Sequence, residues 1–206
     1  MKHILSILLT ITALDAAANT LTLKSGLFRS DARVELDNQA KKGKVSGLSV
    51  KIDYDISTDL MLNYEYILGE GNLNTAKSRY KFNESTLHLI RNFHSEKRIF
   101  DTWSISYIAG VGISNKSSDY ENKTQNKTQQ SILIGASIES SHGGFIRLKG
   151  TTPVSAFKYN KLAIIEVGTP ISNSTNLMAT YRNHSSKIDN LRHCGADYFI
   201  GISLKY

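Results

Sequence analysis

The chain has 206 residues, with 25 basic and 18 acidic side chains, a formal net charge of +7 and one cysteine. That length suits one domain of barrel or sandwich size, and a lone thiol, Cys194, excludes an internal disulfide framework. Beyond the first residues no apolar run approaches the about 20 residues that a transmembrane helix needs, whereas transmembrane strands stay open because alternation dilutes their hydropathy.

Residues 1–18 read as a secretory signal. Lys2 and His3 form a short basic start, residues 4–14 are mostly apolar, and Ala16, Ala17 and Ala18 offer the small side chains that a signal peptidase needs, with cleavage expected before Asn19. No cysteine stands at that point, so lipoprotein processing is not indicated. Removing the segment takes away Lys2 and Asp15 and leaves the charge unchanged. A basic excess points to nucleic acid, anionic lipid or sulfated glycan. The export signal argues against nucleic acid.

From residue 19 the chain alternates again and again, which is the period-two pattern of a strand with two unlike faces. Leu21, Leu23 and Leu27 line the first strand, which runs to about Val34. Residues 37–47 form a polar, basic loop. Leu48, Val50, Ile52, Tyr54 and Ile56 make the second strand, and Ser57, Thr58 and Asp59 a tight turn. Leu60, Leu62, Tyr64, Tyr66 and Leu68 make the third. Residues 69–81 form a second polar loop. The fourth strand, residues 82–93, carries Leu87, Leu89 and Phe93, interrupted by Arg91, which can snorkel if it lies near a strand end.

Residues 94–102 turn the chain into a fifth strand with Trp103, Ile105, Tyr107, Ala109, Val111 and Ile113 on one face. Residues 115–130 lack any apolar period and are expected to be a mobile surface loop. Ile132, Ile134, Ala136 and Ile138 form a sixth strand, and Ser141, His142, Gly143 and Gly144 a turn. The seventh strand covers residues 145–152. The eighth holds Ala163, Ile165 and Val167 against Leu162, Ile164 and Glu166, and is apolar on both faces. The ninth covers residues 177–186, residues 187–196 form a loop, and the tenth is residues 197–206. The expectation is an all-β, antiparallel up-and-down transmembrane barrel of about ten strands after a signal peptide, or eight if the seventh and eighth pair differently.

Charge sorts with the alternation. Lys24, Lys51, Arg147, Lys149, Arg182 and Lys205 share the polar faces with Asp53, Asp55, Glu65, Glu84, Glu166 and Asp197. Buried charge is costly unless paired, so six of each sign suggest an ion-paired lumen. On the last strand Tyr198, Ile200, Ile202, Leu204 and Tyr206 share the other face, which is expected to meet lipid.

The export signal, the repeated alternation near GLSVKIDYDIST and LMATYRN, and the ending DYFIGISLKY together resemble the small outer-membrane β-barrel proteins of Gram-negative bacteria. That group includes OmpX/Ail-like adhesion and serum-resistance proteins, opacity-type proteins and colonisation-factor-like proteins. The resemblance covers the mature chain and singles out no member. It implies residence in the outer membrane, a final strand recognised by the barrel-assembly machinery, and surface binding of lipopolysaccharide or a host ligand rather than chemistry. The basic segments with Lys41, Lys42, Lys44 and with Lys77, Arg79, Lys81 are the expected binding surface, the alternative being solvated loops with no partner.

The sharpest enzymatic candidate is the set His184, Ser186 and Asp197. An imidazole two residues from a hydroxyl shares a strand face with it, and a carboxylate completes a nucleophilic constellation. The spacing resembles the lipid A 3-O-deacylases, with Lys187 where that family has Asn and Asp197 where it has Glu. The other reading is a polar strand end. His193 and Cys194 are adjacent, which is not the spacing of a closed metal site, and no cofactor motif stands out. A narrow pore is a further alternative, opposed by a charge-filled lumen. So is a secreted soluble barrel, which would need an apolar core and polar outer faces.

Overall fold

The computed structural model describes residues 20–36, 39–73, 78–99, 102–120, 123–154, 161–188 and 191–206. They form ten strands: β1 (Leu21–Leu36), β2 (Gln39–Asp55), β3 (Leu60–Leu73), β4 (Ser78–Ile99), β5 (Trp103–Tyr120), β6 (Lys123–Ser140), β7 (Phe145–Pro153), β8 (Lys161–Pro170), β9 (Thr175–Ile188) and β10 (Leu191–Lys205). Each strand pairs antiparallel with its neighbours in sequence, and β1 pairs with β10, so the sheet closes. The seam runs from Thr22 opposite Lys205 to Leu36 opposite Leu191. Closure removes both edges, so every strand has a partner on each side. The eight-strand alternative falls, because β7 and β8 pair with each other and with β6 and β9.

At one end the chain turns tightly. Ile56 N donates to Leu60 O at 2.8 Å, and Ile171 N to Thr175 O at 2.8 Å. In the third such turn Gly143 adopts φ 86°, a left-handed conformation that suits glycine. There Gly143 N donates to Ser140 O at 3.0 Å and Gly144 N to Ser140 Oγ at 2.9 Å.

At the other end the strands run further than the alternation predicts. Much of the turn expected at residues 94–102, at the tight-turn end, is strand, and at this opposite end the expected loops at residues 37–47, 69–81, 115–130 and 187–196 are mostly strand too. The apolar period stops there, but backbone pairing does not. Lys116 stands opposite Lys127, and Lys44 opposite Asn72, in unbroken register. The loops become long hairpins, and β5 and β6 stay paired out to Tyr120 opposite Lys123.

The reason is a reversal of the wall. In the lower part apolar side chains point outward: Leu27 and Ile200 are each 67 % exposed. Inside at that level are charges, with Lys24 and Glu166 both at 2 %. A soluble barrel has the opposite arrangement. Higher up the outward positions turn polar on every long strand: Arg29, Asp31 and Arg33 on β1, Lys42, Lys44 and Ser46 on β2, Asn115, Ser117 and Asp119 on β5. There the interior turns apolar on the β1–β4 and β10 side, in a cluster that includes Phe28, Val34, Val45, Ile67, Tyr80, Phe82, Leu191 and Phe199. The barrel thus has two storeys, one built for an apolar surround and one built for water.

The outward facing of Tyr198, Ile200, Ile202 and Tyr206 agrees with the alternation, and Leu204 on the same face is partly exposed. On β8, Ala163, Ile165 and Val167 point out while Ile164 and Glu166 are buried. Arg91 is exposed on the outer wall and sits over the Phe93 ring at 5.3 Å. The signal expected at residues 1–18 lies outside the described residues.

Candidate functional site

The lower lumen is an ion-pair network centred on Glu166. Its Oε1 accepts from Lys24 Nζ at 2.9 Å, and its Oε2 from Lys51 Nζ at 3.2 Å. Lys24 also meets Asp53 at 3.0 Å. Arg147 reaches Glu166 at 3.4 Å and Glu139 at 2.7 Å. Asn63 donates to Asp53. Lys149 is buried among them. The register explains the convergence: Lys24 faces Lys51 across β1 and β2, and Arg147 faces Glu166 across β7 and β8. The sequence expectation of an ion-paired lumen holds for these groups, while Lys205, on the same face, is exposed at the rim.

Little space remains inside. One interior cavity holds about 40 Å³ between Lys51, Glu65, Glu84, His88 and Lys149, and another holds about 20 Å³ beside Lys24 and Glu166. A water needs about 10–15 Å³, so the first space holds about three waters and the second about one or two, and neither is an open channel.

A second cluster sits where the two storeys meet. The last apolar outward residues are Leu87 on β4, Tyr181 on β9 and Tyr198 on β10, and on these strands Glu84, Arg182, His184, His193 and Asp197 stand beyond them. Arg182 donates from Nε to Asp197 Oδ2 at 2.7 Å and meets Glu84 at 3.5 Å. Lys116 meets Glu84 at 3.1 Å. His184 Nδ1 lies 3.2 Å from Asp197 Oδ2, and its Nε2 lies 3.3 Å from His193 Nε2. Burial works to raise the Asp197 carboxyl, but the Arg182 guanidinium, with His184 and Ser30, holds it well below the usual carboxylate range. Glu84 is held down to about 2: burial opposes the shift, and Lys116 and Arg182 override it. Burial, aided by neighbouring His184, pushes the His193 imidazole well below its ordinary value.

The expected catalytic set is therefore half assembled. His184 and Asp197 come together, and His184 and Ser186 both line a small cavity of about 10 Å³. The imidazole Nε2 that would serve a nucleophile faces His193 instead. His184, Ser186 and Asp197 are 6 %, 5 % and 0 % exposed, inside the barrel and away from the outer wall. His193 is the partner that sequence reasoning missed, because residues 187–196 looked like a loop. The signal was present: Leu191, His193 and Gly195 continue the inward parity of Asp197.

The basic residues expected on loops stand on strands. Lys42 and Lys44 point outward from β2, while Lys41 faces the Tyr120 ring at 5.3 Å. Arg79 and Lys81 lie on β4 and both reach Glu70, the lysine at 3.6 Å. Lys77 lies outside the described residues. Among the described residues, Lys42, Lys44, Arg79 and Lys81 thus stand on the outer wall of the upper storey.

No family model and no curated protein sequence matches this chain. Solved structures similar to it include Ail, the attachment invasion locus protein of Yersinia pestis, at 14 % identity and TM-score 0.43, covering 92 % of this chain and 100 % of Ail. They also include the neisserial surface protein NspA, at 13 % identity and TM-score 0.47, covering 93 % of this chain and 99 % of NspA. The outer membrane protein OprG of Pseudomonas aeruginosa is similar at 9 % identity and TM-score 0.41, covering 92 % of this chain and 96 % of OprG. The architecture rests on this chain's own strand order: an all-β, closed, ten-stranded antiparallel up-and-down barrel.

Proposed function

We propose that the chain is an outer-membrane protein of a Gram-negative envelope, exported on residues 1–18, that acts as a surface-binding protein. Its basic upper wall contacts lipopolysaccharide or a host polyanion, as an adhesion or colonisation protein would. The observation that supports this most directly is the reversal of the wall. A greasy exterior around a charged lumen suits a bilayer, where every backbone group must be paired and no edge left open. A polar exterior around an apolar plug suits the water above it. The outward face of β10, ending at Tyr206, is the surface that the barrel-assembly machinery would read.

Cell fractionation tests the location. The protein is expected in the outer-membrane fraction with a heat-dependent gel shift; recovery in the soluble periplasm without that shift overturns the reading. The pore alternative finds no support in the filled lumen, and planar-bilayer recordings are expected to show no steady conductance steps. The hydrolase alternative is disfavoured by an imidazole that faces a second imidazole indoors. Envelopes carrying His184→Ala or Ser186→Ala are expected to contain unchanged lipid A, and loss of a deacylated species in both would restore it.

A further inference from the structure

The charge above the belt is one-sided. On the outer wall of β9, β10, β1 and β2 stand Lys187, Arg192, Arg29, Arg33, Lys42 and Lys44, against Asp31 and Glu35. On β3 to β6 the described outward positions at the same height hold Arg79 and Lys81 beside Glu70 and Asp119, and otherwise carry neutral Asn, Ser, Thr and Gln. One flank therefore carries a surplus of four positive charges and the other carries none.

The register packs the basic flank closely. Arg33 lies opposite both Lys42 and Cys194, and Arg192 lies opposite Lys187 on one side and Glu35 on the other. Between them is a depression of about 280 Å³ on the outer wall, lined by Arg33, Glu35, Arg192 and Cys194. Cys194 supplies a short side chain between two long cations, which leaves the groove open. Directly below come Asp31, opposite Lys44, and then Arg29, level with Tyr198, followed by Leu27, Leu48 and Ile200 on the apolar belt. The column therefore reads, from the bottom, apolar, then a level where Arg29 and Lys44 outnumber Asp31, then a groove where Arg33 and Arg192 outnumber Glu35.

We propose that this flank is a docking site for a phosphorylated glycolipid of the outer leaflet, a lipopolysaccharide, bound side-on to the barrel. This rests on the outer-membrane reading above. Acyl chains lie along Leu27, Leu48 and Ile200. The first phosphate meets Arg29 and Lys44, and the anionic inner sugars reach the groove at Arg33 and Arg192. Arginine suits this role because its planar fork binds phosphate and carboxylate through two parallel hydrogen bonds. Continuity of the cationic flank with the apolar belt favours a lipid-anchored anion over a soluble polyanion, which would gain nothing from the belt.

Cys194, the single thiol, lies in the groove and reports on it. The refolded full barrel is placed in phosphatidylcholine vesicles, in vesicles with added deep-rough lipopolysaccharide, and in vesicles with phosphatidylglycerol. Alkylation of Cys194 is expected to slow at least tenfold with lipopolysaccharide alone, and the protection is expected to vanish in R33E/R192E but persist in R79E/K81E. R33Q/R192Q serves if the charge reversal fails to give a heat-shifted folded band. Equal alkylation rates in all three vesicles overturn the proposal, as does equal protection in wild type and R33E/R192E. Protection by free inositol hexaphosphate equal to that by lipopolysaccharide would assign the site to soluble polyanions and also overturn it. None of these results touches the membrane location, which fractionation decides by itself.

Discussion

Replacing Glu166 with Gln is the sharpest test of the ion-paired lumen. Glu166 is 2 % exposed and accepts from Lys24 at 2.9 Å and Lys51 at 3.2 Å, with Arg147 at 3.4 Å. Glutamine keeps the shape and removes the charge, leaving buried Lys51 beside a neutral amide, while Lys24 keeps Asp53 and Arg147 keeps Glu139. Removing one partner of a buried pair costs about 3–5 kcal/mol, because the remaining charge stays uncompensated. That range corresponds to roughly two to four powers of ten in the folding equilibrium. The single tryptophan, Trp103, gives a clean fluorescence signal for guanidinium unfolding from lipid vesicles. E166Q is expected to lower stability by that amount, while Lys51→Met in the same background recovers part of it by removing one stranded cation. The exposed pair of Glu70 with Arg79 is the control, since surface pairs contribute about 0–1 kcal/mol. If E166Q falls within about 1 kcal/mol of wild type, as a surface pair would, the lumen is not held by charge pairing.

Other consequences follow from the wall. Ile200→Lys puts a cation on the outer belt, where a bilayer-centred lysine costs about 2–4 kcal/mol, and is expected to destabilise the vesicle-inserted barrel while Ile200→Ala changes it little. Gly26 and Gly201 face each other across the closing seam, and a Cβ on Gly201 would collide with the Ser25 carbonyl oxygen. Gly201→Val is therefore expected to slow or abolish the folded, heat-shifted gel band, and an unchanged rate of its appearance would show that the seam tolerates bulk. Glu84 is held down to about 2 against an ordinary 4.5, so the unfolded chain binds more protons in that window. A depressed carboxyl stabilises the fold above its unfolded pKa and loses that contribution as pH falls toward its folded one. Stability of the wild type is expected to drop between about pH 4.5 and 2 more steeply than that of Glu84→Gln, read as urea midpoints at each pH.

The lower storey was legible in the sequence because each strand there has one apolar and one polar face. β2 shows why legibility ended. Over residues 48–56 the outward positions are Leu, Val, Ile, Tyr and Ile, and the strand is plain. Over residues 39–47 the inward positions are Lys41, Gly43, Val45 and Gly47, and the outward ones are Ala40, Lys42, Lys44 and Ser46. With small residues inside and cations outside, no hydrophobic period survives, so a paired strand looks like a loop. The same loss hid His193. Its neighbours Arg182 and Asp197 have an inward facing from the alternation, but a residue assigned to a loop has no facing. The plug was out of reach for a different reason: Phe28, Phe82 and Phe199 come from three distant strands and stack only after closure, with Phe28 and Phe199 centroids 5.0 Å apart.

The reversal of the wall also works as a waterline. If the barrel sank by one pleat, Arg29 and its neighbours on β9 to β2 would enter lipid. If it rose by one, Leu27, Leu48 and Ile200 would meet water. Both moves are opposed, so the depth of immersion is set by the level at which the faces exchange, without a separate anchor. Because the cations crowd one flank, the resistance to sinking is uneven around the rim. The barrel is then expected to ride tilted, high on the β9–β2 side, with its mouth leaning away from that flank.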